Sequence, residues 1–253
     1  MTFDVSAESY RRFMGRYSMP LADLFVELVG VRRGDRVLDV GCGPGVLTGP
    51  LVARCGAEHV AAVDPSSSFV AATRDLYPEV DVREAGAESL PFDDDTFDAV
   101  LAQLVVHFMA DPVAGLREMG RVSRPGGTLA ASVWDFGSGT APLSLFWRAA
   151  GELDPSAPGE ADRAGTHEGD LAALAESAGL HDVRSTSLTV RLSFASFDDW
   201  WAPYLDGVGP VGSYVASLTP DLRGRIEERC RDLLPDAPFE HSATAWVVLA
   251  TAR

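Results

Sequence analysis

The stretch VLDVGCGPG at 37–45 limits what this chain can fold into more than any other. An apolar strand runs directly into three glycines, Gly41, Gly43 and Gly45. Glycine accepts left-handed backbone and lets a ligand approach the main chain, close to the N-terminus of a helix expected over 46–55. A plain β–α turn would need less glycine. Two carboxylates favour a binding loop: Asp39 in this strand and Asp64 at the end of the next, HVAAVD at 59–64. An acid at that strand end suits hydrogen bonds from ribose hydroxyls in nucleotide-binding α/β folds; the alternative is a helix cap before Pro65.

Spacing separates two cofactors. A dinucleotide site requires G-x-G-x-x-G, whose third glycine permits close helix packing. Here the pattern is G-x-G-x-G, with Val46 where that third glycine would stand, which counts against NAD.

The rest of the chain extends the same rhythm. Strands are expected at 36–41, 59–64, 80–84, 97–103 and 128–134, the last entered through the Pro-Gly-Gly at 125–127. Helices are expected at 46–55, 66–77 and 112–123. Alternating short apolar strands and helices predict a Rossmann-like, mostly parallel seven-stranded sheet covered on both faces. Amphipathic helices at 6–15 and 18–29 precede it, with Pro20 near the start of the second and Gly30 ending it. Beyond 135, residues 152–170 read as a loop, 168–178 as a helix and 182–192 as a strand. Helical pieces over 196–234 form a cap inserted before a closing strand, 243–252. The expected organisation is one domain over 1–253: N-terminal helices 1–30, a cofactor-binding core 31–135, acceptor-site and cap segments 136–240, and the closing strand 241–253.

Bulk properties narrow the function. The formal charge of −16 repels phosphate backbones, so nucleic acid is not an expected partner. All 21 basic residues are Arg. Three widely spaced cysteines, Cys42, Cys55 and Cys230, form neither a disulfide framework nor a zinc ligand set. The N-terminus lacks the apolar run of a signal peptide, and no stretch reaches membrane-spanning length. A cytoplasmic protein without a membrane partner is expected.

Further motifs stand in order along the chain: GAESLPFDDDTFDAV at 86–100, LVVHFMADP at 104–112 and REMGRVSRPGG at 117–127. With the glycine loop and Asp64 they make the chain resemble the class I S-adenosylmethionine-dependent methyltransferases, in the subgroup of the ubiquinone and menaquinone biosynthesis enzymes. The resemblance covers 30–135 strongly and the flanks more loosely. It implies S-adenosyl-L-methionine as cofactor and methyl transfer to a small molecule. It also implies that Gly41, Cys42 and Gly43 lie along the methionine moiety and that Asp64 and Pro65 hold the ribose. Gly86, Ala87 and Glu88 would stand beside the adenine, and Gln103 and Leu104 near the cofactor after the fourth strand. Relatives often carry an acid where Gly86 stands, so adenine recognition would fall to backbone groups or Glu88. YRRFMGRYS at 10–18 resembles a cofactor-covering segment, with Tyr10, Arg16 and Tyr17 closing over the methionine end and Arg16 matching its carboxylate.

Methyl transfer from a sulfonium depends on positioning, and needs a base only when the acceptor must lose a proton. His107, just after the fourth strand, is the expected base or orienting group; the alternative is a histidine bonded into the following turn. His167 reads as a solvated or capping residue. His181 and His241 start strands and would fall on the opposite edge of a parallel sheet. Trp147 and the stripe Trp200, Trp201 and Tyr204 are expected to line a pocket for an apolar or aromatic acceptor, although aromatics at helical spacing usually form core. No metal site is expected. The competing functions are an S-adenosylmethionine-binding protein of the same fold that transfers no methyl group, and an NAD-dependent oxidoreductase.

Overall fold

The computed structural model describes residues 7–252, so residues 1–6 and 253 of the expected domain lie outside it. Seven strands form one sheet: Val37–Val40 (β1), Val60–Asp64 (β2), Asp81–Glu84 (β3), Phe97–Gln103 (β4), Ser123–Trp134 (β5), His181–Phe194 (β6) and Phe239–Thr251 (β7). Their spatial order is β3-β2-β1-β4-β5-β7-β6. The first five pair in parallel, while β7 runs antiparallel between β5 and β6. Strand order reverses between β1 and β4, which opens a crevice beyond their C-terminal ends.

Side chains alternate between two cores, as a sheet covered on both faces requires. Leu38, Val40, Val100 and Leu129 face one core with Leu116 and Met119 of the helix Pro112–Val122 (named α5 below). Val37, Ala62, Leu101 and Ala130 face the other, with Phe25, Leu51 and Val70. Those three come from Arg16–Val29, Thr48–Cys55 and Ser67–Leu76. Counting from Ala7–Tyr10 as α1, these helices are α2, α3 and α4. A third cluster joins α2 to Ser144–Leu153 (α6) and to the cap, which comprises Phe197–Trp201 (α8), Gly209–Ser217 (α9) and Pro220–Leu233 (α10). Asp170–Ser177 (α7) precedes β6.

Three details differ from expectation. The two N-terminal helices are continuous: α1 passes through a π-helical turn, Arg11–Gly15, into α2, with right-handed helical backbone at Tyr10, Gly15 and Arg16. Pro20 therefore lies inside a helix, and only Gly30, at φ 74°, ends it. The Pro-Gly-Gly at 125–127 does not precede β5 but bulges within it, since Ser123 pairs with Phe97 and Thr128 with Ala99. Thirdly, α3 starts at Thr48, so the glycine segment is a longer turn.

Candidate functional site

The site begins where β1 ends. Gly41, at φ 73°, has no room for a side chain: a Cβ would stand 2.5 Å from Val105 Cγ2, in the segment after β4. The N–H groups of Gly41 and Cys42 donate to Val63 O, which ties the loop to β2. Gly43 N–H donates to Asp64 Oδ2 at 2.9 Å, and Ser66 N–H to Oδ1 at 2.8 Å. Asp64 is thus buried with one backbone partner on each oxygen, and each oxygen retains acceptor capacity. It is not the helix cap considered from the sequence; Ser66 holds that position.

Asp39 is buried beneath the loop and accepts from Thr48 Oγ1 at 2.7 Å. Burial pushes its carboxyl up to about 7, against the Thr48 bond and reinforced by the charge of Asp64. At neutral pH it therefore responds readily to a nearby cation.

A cavity of about 240 Å³ lies over this crevice. Gly41, Cys42, Gly43, Asp64, Pro65, Gln103 and Leu104 all line it, as do Tyr10 and Asp39. Gln103 Nε2 donates to Ser18 O at 3.0 Å, anchoring α2 to β4, while its buried Oε1 has no partner among the described residues. Leu104 adopts φ 62°, a left-handed conformation rare for a branched side chain. Such strain clusters at binding sites, and here it turns the chain between two cavities.

Four residues expected to contact the cofactor do not line this cavity. Tyr17 lines neither cavity: its hydroxyl meets His241 Nδ1 at 3.2 Å, and its ring packs against Trp134. Of the three residues expected to close over the methionine end, Tyr10 alone lines the cavity. Gly86, Ala87 and Glu88 are absent from the cavity wall. Glu88 Oε1 accepts from the N–H groups of Ala110 and Asp111, supporting the approach to α5, and Ala87 packs into the core. Arg16 is also engaged, donating to Asp199 Oδ1 at 2.8 Å and covering the Phe194 ring. These contacts join α2 to the cap.

A second cavity of about 60 Å³ adjoins the first, sharing Tyr10, Leu104 and Phe108 with it. Its wall is mostly apolar, with Phe13, Met14, Trp134, Phe136, Leu143 and Val211. Phe136 and Leu143 follow β5, and Val208–Val211 come from the cap. The polar side chains are His107, Glu160 and the shared Tyr10.

His107 sits in a 3-10 turn, Val106–Phe108, and is 8% exposed. Its Nδ1 has no partner among the described residues, so it is not bonded into the following turn. Burial, reinforced by the Arg163 charge, pushes its pKa down to about 3 and keeps the imidazole neutral. His167 lies outside both cavities, beside Asp170 at 3.5 Å. His241 starts β7, but β7 is antiparallel, so it lies at the same edge as the glycine loop, not the opposite one. It bonds Tyr17 and faces neither cavity.

The aromatic residues expected around an acceptor do not line this second cavity. Trp147, Trp200, Trp201 and Tyr204 are at most 9% exposed and form one packed group. Tyr204 stacks on Phe146 at 5.0 Å and meets Phe13 edge-on at 4.8 Å. Their helical spacing reflects core, because the cap has to bury one face of α8. Trp147 supports the cavity wall from behind, by donating from Nε1 to Glu160 Oε2 at 3.0 Å. Sequence reasoning missed Glu160 because it is one acid among several in a Pro- and Gly-rich loop.

Among the described residues there is no cluster suited to a metal ion, and no helix is long and apolar enough to cross a membrane.

Comparison with known proteins adds to this geometry. A family model described as a methyltransferase domain matches residues 38–131. An uncharacterized protein of Mycobacterium tuberculosis is 30% identical over 233 residues, covering 87% of this chain and 83% of its own. The ubiquinone/menaquinone biosynthesis C-methyltransferase UbiE of Idiomarina loihiensis is 38% identical over 109 residues, covering 40% of this chain and 43% of its own. The crystal structure of YcgJ from Bacillus subtilis superposes with a TM-score of 0.59 over 94% of this chain and 98% of that one; its 18% identity makes this a likeness of fold.

Proposed function

Since this chain belongs to the class I S-adenosylmethionine-dependent methyltransferases, we propose that it methylates a small apolar or aromatic molecule held in the second cavity. The observation that carries this reading is the pairing of two cavities across Leu104: one on the glycine loop that presents Asp39, Asp64 and Gln103, and a more apolar one under the cap.

The first cavity fits the cofactor. Asp64 retains acceptor capacity for ribose hydroxyls, and the unpartnered Oε1 of Gln103 offers another acceptor. Gly41, Cys42, Gly43 and Pro65 present a wall that admits close approach. Asp39 gains its charge readily when a cation is near. When bound, S-adenosylmethionine supplies a sulfonium methyl group. The protein's part is to orient the acceptor against the shared wall of Tyr10, Leu104 and Phe108, and to exclude water with the cap. His107, neutral and without a partner on Nδ1, is assigned the role of orienting the acceptor by a hydrogen bond, since an imidazole held near 3 is a weak base at neutral pH. The adenine contact assigned to Gly86, Ala87 and Glu88 would require that segment to meet the cofactor beyond the cavity wall.

The likeness to the ubiquinone and menaquinone enzyme covers 40% of this chain and supports that subgroup only over that share. Residues 136–240, which contribute Phe136, Leu143, Glu160 and Val211 to the acceptor cavity, are read as part of the same single functional unit over 1–253.

The test is turnover. The protein is incubated with S-adenosylmethionine and a panel of small aromatic, aliphatic and charged acceptors, and S-adenosylhomocysteine is quantified. Product with apolar or aromatic acceptors is expected; product with charged, strongly polar acceptors alone would overturn the proposal.

A further inference from the structure

Among the described residues that line the second cavity, Glu160 is the one carboxylic acid. Its side chain is 3% exposed, set in a wall of aromatic and aliphatic residues. Buried carboxylates are costly unless their oxygens are satisfied. One oxygen is: Oε2 accepts from the indole N–H of Trp147 at 3.0 Å. The other, Oε1, stands 3.7 Å from Arg163 Nε and accepts no hydrogen bond among the described residues. Burial raises the Glu160 carboxyl above its usual range, while the Trp147 bond and the adjacent guanidinium pull it back toward the ionised form.

We propose that Glu160 is the polar anchor of the acceptor cavity, where Oε1 accepts a hydrogen bond from a neutral hydroxyl on an otherwise apolar, ring-bearing acceptor. The inference rests on the second cavity being the acceptor site. The choice of a hydroxyl follows from the charges around it. Arg163 already balances Glu160, so an ammonium group would gain no uncompensated partner, and an acceptor carboxylate would be repelled. A ketone or ether has no proton to donate. A hydroxyl both donates and accepts, so it serves a carboxylate and a neutral imidazole on the same cavity wall. The rings of Phe13, Trp134 and Phe136 suit an aromatic body.

Trp147 acquires a purpose from this arrangement. Its indole holds one oxygen of Glu160 and so fixes the direction of the other. Glu160 and Trp147 come from a loop and from α6, and neither lines the cofactor cavity. The anchor therefore selects the acceptor without touching cofactor binding.

The test uses 2-naphthol and 2-methoxynaphthalene as probes, which share a ring system but differ in hydroxyl donation. Calorimetry is done on the full chain saturated with S-adenosylhomocysteine. Wild type is expected to bind the naphthol roughly tenfold more tightly, as a bond to a charged acceptor allows. Glu160→Gln can still accept from Trp147 through its amide oxygen, but it then presents an N–H₂ donor where Oε1 stood. The preference should vanish or reverse, with S-adenosylhomocysteine affinity unchanged. Equal binding of both probes by wild type, or an unchanged ratio in Glu160→Gln, would overturn the anchor while leaving the acceptor cavity standing. Binding of neither probe to the S-adenosylhomocysteine-loaded protein would overturn both readings.

Discussion

The two cavities meet at Leu104, yet they are built in opposite ways. The cofactor cavity is made from strand ends: Gly41 to Gly43 after β1, Asp64 at the end of β2, Gln103 to Val105 after β4. The acceptor cavity gathers Phe13 from the π-helical turn, Phe136 after β5, Glu160 from a loop and Val211 from the cap. One is fixed by backbone geometry at a sheet edge, where a ligand meets glycine main chain and short side chains. The other is fixed by side-chain packing between remote segments, and its shape depends on how the cap settles. A protein built this way can keep one cofactor while its acceptor changes by substitution in the cap and loops.

The sharpest way to break this contrast is in the aromatic group under the cap. If it is core, Trp201→Ala should cost about 3–5 kcal/mol of stability, with no selective effect on the acceptor. Denaturant unfolding measures this. A well-folded Trp201→Ala protein with a raised acceptor KM would move the cavity boundary into the stripe.

The next effect belongs to the acceptor side alone. His107→Gln should lower turnover by about 100-fold if the imidazole orients the acceptor. Affinity for S-adenosylhomocysteine should stay near wild type, since His107 does not line the cofactor cavity. Paired kinetics and calorimetry check it. An equal loss in both would merge the two cavities into one functional unit.

On the cofactor side, Asp64→Ala should weaken S-adenosylhomocysteine binding by roughly 1.5–3 kcal/mol, through loss of charge-assisted bonds. The same substitution frees the N–H groups of Gly43 and Ser66, so a modest fall in thermal stability should accompany it. Unchanged affinity in a folded variant would reduce Asp64 to a brace for the glycine turn.

The smallest effect depends on pH. Burial raises the Asp39 carboxyl to about 7, so the free protein is favoured with Asp39 protonated. That contribution to stability is complete below the usual carboxylate range and is lost as pH rises through 7. Binding a cation draws the proton off, so S-adenosylmethionine affinity should climb by about tenfold at most per pH unit below 7 and level off above it. Calorimetry between pH 5.5 and 8 tests the slope. Asp39→Asn should flatten it, and an equally steep slope in that variant would assign the titration elsewhere.

The same contrast governs what could be read without coordinates. Strands β1, β2 and β4 fall within a residue of where their apolar runs place them, because a buried parallel strand needs consecutive apolar residues and a turn at each end. The Pro-Gly-Gly at 125–127 misled because glycine serves bulges as well as turns. Tyr17 and Arg16 were misplaced by a different cause. A π-helical turn shifts the helical register, which brings Tyr10 to the cavity and commits Arg16 to Asp199. Nor does composition reveal that a leucine at 104 will take left-handed backbone, since only its neighbours hold it there.

By itself the sequence determined the sheet, the glycine turn and the carboxylate at the end of β2, together with the cofactor class they imply. Each depends on local pattern: apolar runs, glycines where a Cβ would clash, an acid at a strand terminus. Tertiary structure alone decided that β7 runs antiparallel, bringing His241 to the edge where the glycine loop lies. It alone sent the aromatic stripe into the core and buried Glu160 against Trp147 in the acceptor wall. Those outcomes depend on which distant surfaces meet, and burial and pairing energies arise only at the contacts between them.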